Sequence, residues 1–237
     1  MSTDESRPDF RHVETWVFDL DNTLYPPSTG LFAQIDDKMR AFIGAELGLS
    51  DDAARALQKQ YYREHGTTLN GLMHVHNIEP QKYLRFVHDI DLSLMNADQA
   101  LDAALGTLPG RKVVFTNGSV AHAENVLKRL GIERHFDDLF DIVATSYRPK
   151  PAAEAYAALV DRLAIDAKRA AMFDDLKRNL VAAAQIGMTT VWVAHDHEWS
   201  RQGPETPGDA DAHVHHVAHD LAAFLTALET EDSHERA

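Results

Sequence analysis

Two aspartates stand one residue apart where an apolar, β-type run of residues ends. Asp19 and Asp21 follow the run that ends at Phe18, and Thr23 completes the pattern Asp-x-Asp-x-Thr. Open α/β proteins bind ligands at the carboxyl edge of the sheet, so this spacing turns two acids toward one point there. Aspartates also form ordinary turns, so the pair alone leaves its role open. Three later segments favour a catalytic role for the pair over an ordinary turn.

Two of these segments offer groups that bind an anion. The apolar run that ends at Phe115 is followed by Thr116, Asn117 and Gly118. These supply a hydroxyl, an amide and a residue that lets the backbone approach a ligand closely. Lys150 stands between two prolines, which stiffen the backbone and can hold its ammonium group at one place. Together they predict a site for a phosphoryl group.

The third segment carries a second pair of acids. Asp174 and Asp175 end the apolar run that begins at Ala170. Two acid pairs at one edge of a parallel sheet would repel each other strongly unless a cation lay between them. We therefore expect a divalent cation at this edge.

In this order the four segments resemble the motifs of the haloacid dehalogenase-like superfamily. The match covers about residues 10–25 and 108–225. The resemblance implies an α/β fold with a Rossmann-like parallel sheet, a catalytic Mg²⁺ and an aspartyl-phosphate intermediate. It also implies that Asp19 is the nucleophile and Asp21 the general acid and base, and that Thr116 and Lys150 hold the phosphoryl group.

The remaining roles also follow from the resemblance. Asn117 and Gly118 are candidate substrate contacts. The Mg²⁺ ligands are the Asp19 carboxylate, the main-chain carbonyl of Asp21, and Asp175, with Asp174 behind Asp175. The roles of the last two could be exchanged, because Leu176 stands where the motif often has a serine.

The chemistry requires these residue types in its own right. A carboxylate that attacks phosphorus divides hydrolysis into two easier displacements. A second acid that protonates the leaving alkoxide and later takes a proton from water contributes about 10² to 10⁴ in rate. The dehalogenase branch of the superfamily lacks an acid at the position of Asp21, so its presence favours phosphate esters over carbon–halogen bonds.

Composition narrows the class of protein. The chain has 237 residues, with 23 basic and 37 acidic side chains, a net charge of −14 and no cysteine. This charge disfavours nucleic-acid and anionic-membrane partners, whereas a small phosphorylated metabolite is compatible with a local basic site. Residues 1–11 are polar and do not resemble a signal peptide, and no long apolar run occurs, so we expect a soluble cytoplasmic protein, monomeric or homodimeric.

The 95 residues from Asp21 to Thr116 exceed what a crossover between strands needs. Apolar residues recur there at helical spacing from Leu31 to Leu47, Ser50 is suited to begin a second helix that Gly66 ends, and Pro80 begins another. This insertion resembles the all-helical type 1 cap of the superfamily. It predicts a catalytic core of residues 1–25 and 106–237 and a helical cap of residues 26–105; the alternative is a helical elaboration that only supports the fold.

Three segments, 21–26, 61–72 and 88–91, resemble the pyrimidine 5′-nucleotidase branch of the superfamily. Within the second, Tyr61 or Tyr62 could stack on a base while Thr67, Thr68 and Asn70 hydrogen-bond its edge. The alternative is helix packing, and one of the two tyrosines fits the apolar stripe of its helix.

Histidines cluster near the end of the chain and raise the alternative of a transition-metal site. They are His195, His197, His213, His215, His216 and His219. The alternation of histidine with valine in residues 212–217 is already explained by a half-exposed edge strand before a helix at 221–228. We expect the strand, and we expect residues 200–210 and 230–237 to form a loop and a tail without function.

Taken together, the sequence predicts a Mg²⁺-dependent phosphomonoester hydrolase acting on pyrimidine nucleoside 5′-monophosphates. A phosphatase for another small metabolite, such as a sugar phosphate or phosphoglycolate, or a phosphomutase would use the same motifs. A non-catalytic binding module would be expected to lack one of the catalytic acids or the lysine.

Overall fold

The computed structural model describes residues 8–195 and 212–228, and at its centre lies one parallel sheet of six strands. The strand order is β3-β2-β1-β4-β5-β6, and every neighbouring pair is parallel. The strands are β1 (Thr15–Phe18), β2 (Arg111–Phe115), β3 (Asp138–Phe140), β4 (Ala170–Asp174), β5 (Thr189–Val193) and β6 (His216–Ala218). This confirms the predicted Rossmann-like α/β core.

Nine α-helices accompany these strands in the described residues, and the first five lie between β1 and β2. In chain order the helices are α1 (Leu31–Leu47), α2 (Asp51–His65), α3 (Thr68–His76), α4 (Pro80–Val87), α5 (Gln99–Thr107), α6 (Val120–Leu130), α7 (Ala153–Leu163), α8 (Lys177–Gln185) and α9 (Leu221–Thr226). Helices α6, α7 and α8 are the crossovers that follow β2, β3 and β4.

The central strand β1 is buried along its whole length, as a parallel strand covered on both faces requires. Trp16 and Phe18 pack into one apolar cluster and Val17 into the other, because successive side chains of a strand point to opposite faces. Phe18 is paired with Val114 in β2 and with Phe173 in β4. The residues that follow these three strands therefore emerge together at one edge of the sheet.

Helices α1 to α4 form a unit, here called the helical segment, and most of its apolar residues share one cluster, which Ile142 of the core also joins. Its helix boundaries follow local chemistry. The Ser50 hydroxyl accepts the Ala53 N–H at the start of α2, Thr67 accepts the Asn70 N–H at the start of α3, and Pro80 is the first residue of α4. An all-helical insertion after the first motif is therefore present.

Helix α5 packs with the core, although the predicted boundary placed residues up to 105 in the helical cap. Its apolar residues Leu101, Ala104 and Leu105 lie in the same cluster as Trp16 and Phe18, against the sheet. We therefore propose that the core resumes near Ile90, which contacts the clusters of both units, and not at residue 106.

Three of the late histidines, His213, His215 and His216, make hydrogen bonds or packing contacts within the fold. The Thr190 N–H donates to His215 Nδ1 (3.0 Å), the Thr190 hydroxyl donates to the His213 carbonyl oxygen (2.6 Å), and His216 begins the edge strand β6 and packs against Phe10. His197 and the segments 200–210 and 230–237 lie outside the described residues. Within the described ranges, no helix combines the length and apolar character that crossing a membrane requires.

Candidate active site

Three carboxylates and one ammonium group meet at the carboxyl edge of the sheet. Lys150 Nζ donates to Asp19 Oδ1 (2.7 Å) and to Asp174 Oδ2 (2.8 Å). Asp19, Asp174 and Asp175 each place a carboxylate oxygen within 4.8 Å of the others. The side chain of Lys150 is only 1% exposed and that of Asp174 is fully buried. We call these four residues the aspartate–lysine cluster.

Asn117 holds the backbone of Lys150 in place. Its amide oxygen accepts the Lys150 N–H (2.8 Å), and its amide nitrogen donates to the Lys150 carbonyl oxygen (3.2 Å). The following peptide bond, between Lys150 and Pro151, is cis. Asn117 thus fixes the backbone of the lysine that bridges two aspartates, and its contact with substrate stays a prediction.

The two acids that end β4 differ in their hydrogen bonds. Asp174 accepts from Lys150, from the Leu176 N–H (2.9 Å), and from Asn179 Nδ2 at both of its oxygens (2.9 and 3.0 Å). Asp175 is buried, with only 7% of its surface exposed, yet its carboxylate makes no hydrogen bond to the described residues. Only Asp175 therefore has both oxygens free of hydrogen bonds to that part of the chain.

Thr23 links the first and last acids of the cluster. Its hydroxyl donates to Asp19 Oδ2 (3.2 Å) and accepts the backbone N–H of Asp175 (3.1 Å). The loop that carries it turns sharply at Asn22, which adopts a positive φ of 61°. Asparagine tolerates this conformation better than most residues. The turn brings Thr23 back to the strand end.

Electrostatics favour a cation in this cluster. Burial raises the pKa of Asp19 to about 7 despite the opposing charge of Lys150, and burial followed by the charges of Asp174 and Asp19 raises the pKa of Asp175 well above its ordinary range. Burial opposes the charge of Lys150, but Asp174 and Asp19 outweigh it and raise its pKa. One ammonium group thus faces three buried carboxylates. An all-oxygen set with excess negative charge fits Mg²⁺.

Thr116 lies beside this cluster, at the end of β2. It is 1% exposed, and its hydroxyl oxygen accepts the N–H of Gly118 (2.9 Å). Its own proton remains available to donate to an anionic oxygen. A Cβ at Gly118 would lie 3.2 Å from that hydroxyl oxygen, so the absence of a side chain keeps this turn close.

Asp21 has a separate set of partners. His122 Nε2 lies 2.8 Å from Asp21 Oδ1, and the Tyr25 hydroxyl donates to the same oxygen. Burial raises the pKa of Asp21, but the charge and hydrogen bond of His122 and the hydrogen bond of Tyr25 outweigh it and lower the pKa. An anionic phosphoryl group arriving beside Asp21 would raise it again.

In the helical segment, two of the predicted substrate contacts are part of the packed interior. Tyr61 is 4% exposed, packs against Gly71, and places its hydroxyl 2.7 Å from His76 Nε2. Thr68 is buried, and its hydroxyl donates to the Gln58 carbonyl oxygen (3.4 Å). The apolar stripe of α2 and the buried first turn of α3 account for both positions as packing residues, and their role as ligand contacts stays a prediction.

The other predicted contacts are more accessible. The guanidinium group of Arg178 lies 4.4 Å from the ring centre of Tyr62 and donates to its hydroxyl, which joins α2 to α8. Thr67 caps α3, and the side-chain amide of Asn70 donates to the His65 carbonyl oxygen (3.3 Å). All three are partly buried.

A cleft of about 360 Å³ lies between the helical segment and the core. His65, Gly66 and Asn70 line it on one side, and Arg148 with the prolines on either side of Lys150 lines it on the other. The cleft therefore adjoins the loop that carries the bridging lysine.

Sequence reasoning missed several residues of this site. His122, Asn179 and Arg178 lie in the first turns of α6 and α8, and these helices begin directly after the predicted motifs. That position was the available signal, since the first turn of a helix that follows a strand at the carboxyl edge faces the site. His122 also stands out as the polar member of an otherwise apolar inward face of α6.

Comparison with known proteins points in the same direction. A family model described as haloacid dehalogenase-like hydrolase matches residues 13–187. Phosphate metabolism protein 8 of Saccharomyces cerevisiae is 25% identical over 241 residues, which covers 92% of this chain and 73% of the yeast protein.

Solved structures share the fold. A 2-haloacid dehalogenase from Pseudomonas syringae has a TM-score of 0.54 at 17% identity, with 91% of this chain and 97% of that chain covered. YfnB from Bacillus subtilis, solved with bound magnesium, has a TM-score of 0.50 at 19% identity, with 82% and 90% covered. At these identities the likeness concerns the fold alone.

Proposed function

We propose that this chain, which belongs to the haloacid dehalogenase-like hydrolase family, is a Mg²⁺-dependent phosphomonoester hydrolase. One observation carries the proposal. The Asp19 carboxylate is held by Lys150 and Thr23 at the strand end, within a buried group of acids whose charge the lysine only partly offsets. Such a site suits a carboxylate nucleophile that works beside a cation and an anionic phosphoryl group.

In the first step, an Asp19 oxygen attacks phosphorus and forms an acyl phosphate while the bond from phosphorus to the ester oxygen breaks. Asp21 gives a proton to the departing oxygen. In the second step, Asp21 takes a proton from a water molecule as that water attacks phosphorus, which releases inorganic phosphate and restores Asp19. Lys150 and the Thr116 hydroxyl donate to the phosphoryl oxygens in both steps.

The residues that would hold Mg²⁺ are Asp19, Asp175 and the main-chain carbonyl of Asp21. The ion would offset the charge between an anionic nucleophile and an anionic phosphate. The hydrogen bonds support Asp175 over Asp174 as the direct ligand. Asp174 already accepts from Lys150, Leu176 and Asn179, whereas Asp175 has both oxygens available.

Asp21 favours phosphate esters over haloacids, although dehalogenases share the fold. Hydrolysis of an ester needs an acid for the leaving oxygen, whereas a halide leaves without a proton. The side chain of Asp21 is 15% exposed, so substrate can reach it. The name of the yeast relative concerns phosphate metabolism, which agrees with this choice.

For the leaving group, we propose pyrimidine nucleoside 5′-monophosphates such as UMP and CMP. The helical segment would act as a cap. Tyr62 bonds to Arg178 of the core, Asn70 lines the cleft, and Thr67 directly follows Gly66, which also lines it. A sugar phosphate or phosphoglycolate is the second candidate. The observation that favours it is the Arg178 guanidinium group against Tyr62, since that ring is then partly used within the protein.

A screen of phosphorylated metabolites tests the proposal. The panel should contain nucleoside 5′-monophosphates, sugar phosphates, phosphoglycolate and p-nitrophenyl phosphate, each with Mg²⁺ and with EDTA. Mg²⁺-dependent phosphate release that favours UMP or CMP is expected. Turnover that survives exhaustive chelation would reject the metal assignment, and activity confined to other esters would reject only the nucleotide substrate. The Asp19→Asn variant controls for contaminating phosphatases.

A further inference from the structure

The two oxygens of Asp21 are treated unequally by the protein. His122 Nε2 and the Tyr25 hydroxyl both bond to Oδ1. Within the described residues, no group hydrogen-bonds Oδ2. Two donors that only satisfied a buried carboxylate could be shared between its two oxygens. Their convergence on Oδ1 leaves Oδ2 open in a side chain that is partly accessible.

His122 is itself held rigidly. Its side chain is 1% exposed, and its ring stacks on that of His88 with a centroid separation of 4.4 Å and an interplanar angle of 10°. The Ser119 hydroxyl lies 2.9 Å from His88 Nδ1 and accepts the backbone N–H of His122 (3.3 Å). One hydroxyl thus contacts both members of the stack.

His88 belongs to the helical segment, where it ends α4, whereas His122 belongs to the core helix α6. Burial, together with the charge of His122, lowers the pKa of His88 to about 3. His88 is therefore neutral at physiological pH, and its uncharged ring packs face to face on the ring of His122. The helical segment in this way supports a residue that bonds to the core acid.

We propose that His122 is a positioning residue for Asp21, an inference that rests on the phosphatase function proposed above. His122 and Tyr25 fix Oδ1, so Oδ2 is the oxygen that carries the proton. That proton passes to the ester oxygen as its bond to phosphorus breaks, and Oδ2 later receives one proton from the water that attacks the phosphoenzyme. His88 supports this arrangement from the helical segment.

The proposal makes a specific demand on substrates. A well-placed acid matters most when the leaving oxygen is strongly basic, as in alkyl phosphates and nucleotides. It matters little for p-nitrophenyl phosphate, whose leaving group departs as a stable anion. Loss of positioning should therefore change the dependence of kcat/KM on the leaving group, whereas general damage to the site should lower all rates in parallel.

The test measures kcat/KM for a series of aryl phosphates of graded leaving-group pKa and one alkyl phosphate, with Mg²⁺ present. Wild-type protein is compared with His122→Leu, which removes the donor, and His122→Gln, which keeps an N–H donor. For His122→Leu we expect losses of about 10- to 100-fold on phenyl and alkyl phosphates and less than about 3-fold on p-nitrophenyl phosphate, a part of what a general acid contributes. His122→Gln should stay within about 3-fold of wild type throughout.

Two further variants keep the test decisive. Tyr25→Phe preserves the packing ring and removes the second donor, so it should also steepen the leaving-group dependence, even if His122→Leu fails to fold. His74→Leu, at an exposed histidine of α3, should leave the dependence unchanged. Parallel losses across the series in the His122 and Tyr25 variants would overturn the inference alone. A wild-type protein that hydrolyses no ester of the series would reject the proposed phosphatase function, and the inference with it.

Discussion

The carboxyl edge of the sheet and the helical segment both carry many polar side chains, but they use them differently. At the sheet edge, Lys150 bridges Asp19 and Asp174, and the donors present do not balance the buried acids. In the helical segment, Thr67 caps a helix, Thr68 bonds to a carbonyl oxygen and Tyr61 packs against Gly71. Buried acids without enough donors are typical of a catalytic or metal-binding site, whereas polar groups that already have hydrogen-bond partners are typical of groups that stabilise the fold.

The largest expected effect lies at the sheet edge. Asp19→Asn should lower kcat/KM at least about 10³-fold, because an amide is a poor nucleophile and a poor Mg²⁺ ligand while keeping nearly the same shape. Asp9→Asn is the matched control, since the Asp9 side chain is exposed and, within the described residues, its hydrogen bonds are to Arg11. A folded Asp19→Asn protein that keeps substantial activity would contradict the assignment of Asp19 as the nucleophile.

A second pair of variants divides roles within the aspartate–lysine cluster. Asp174→Asn should lower the free energy of unfolding by about 3 kcal/mol, because Lys150 loses a buried partner. Asp175→Asn should raise stability without Mg²⁺, because it removes a buried carboxylate whose pKa is raised by burial and by the charges of Asp174 and Asp19. It should also weaken Mg²⁺ binding more than Asp174→Asn does. Denaturant unfolding and metal titration of the two proteins measure both effects. The opposite order in the metal titration would exchange the roles proposed for the two acids.

A third pair tests whether the helical segment reads the leaving group. Tyr62→Leu should lower kcat/KM for UMP about 5- to 150-fold, the size of one base-stacking contact, with little change for p-nitrophenyl phosphate. Tyr61→Leu should instead cost about 2 kcal/mol of stability and leave the ratio of the two activities unchanged. Equal losses on both substrates for Tyr62→Leu would place Tyr62 with the architectural residues.

The smallest effect concerns His88, where the two regions meet. Its pKa is lowered from 6.5 to about 3 in the folded protein, so the unfolded chain binds one more proton between these values and stability falls as the pH falls. Below about pH 6, the free energy of unfolding of both proteins should fall as the pH falls. The slope should be shallower in His88→Gln than in wild type, by about 1 kcal/mol per pH unit. His74→Gln, at an exposed histidine of α3, controls for the general effect of replacing a histidine. Identical slopes for His88→Gln and wild type would show that His88 is not buried in its neutral form.

The sequence was sufficient to predict the sheet and the aspartate–lysine cluster because strand ends and motifs coincide. Each acid directly follows an apolar run, and parallel strands bring such ends together. The start of α2 after Ser50 and that of α4 at Pro80 were predictable for a similar reason, since capping chemistry is local.

Three features depended on contacts between distant residues and were not predictable from spacing. Asn117 bonds to the backbone of Lys150, 33 residues away. His122 meets Asp21 across 101 residues. Helix α5 packs into the apolar cluster of the core, although it lies in the same insertion as α1 to α4. In each case the local sequence indicates the secondary structure around the residue, but the partner is determined by tertiary packing.

The most direct test of the central claim is to trap the covalent intermediate on Asp19. In Asp21→Asn the second step should be slowed, whereas p-nitrophenyl phosphate still leaves readily in the first. Rapid mixing should therefore give a burst of p-nitrophenolate close to the enzyme concentration. After acid quenching, peptide mass spectrometry should find one phosphoryl group on Asp19. A phosphoryl group on any other residue, or turnover without a burst or a phosphorylated protein, would contradict the proposal that Asp19 is the nucleophile.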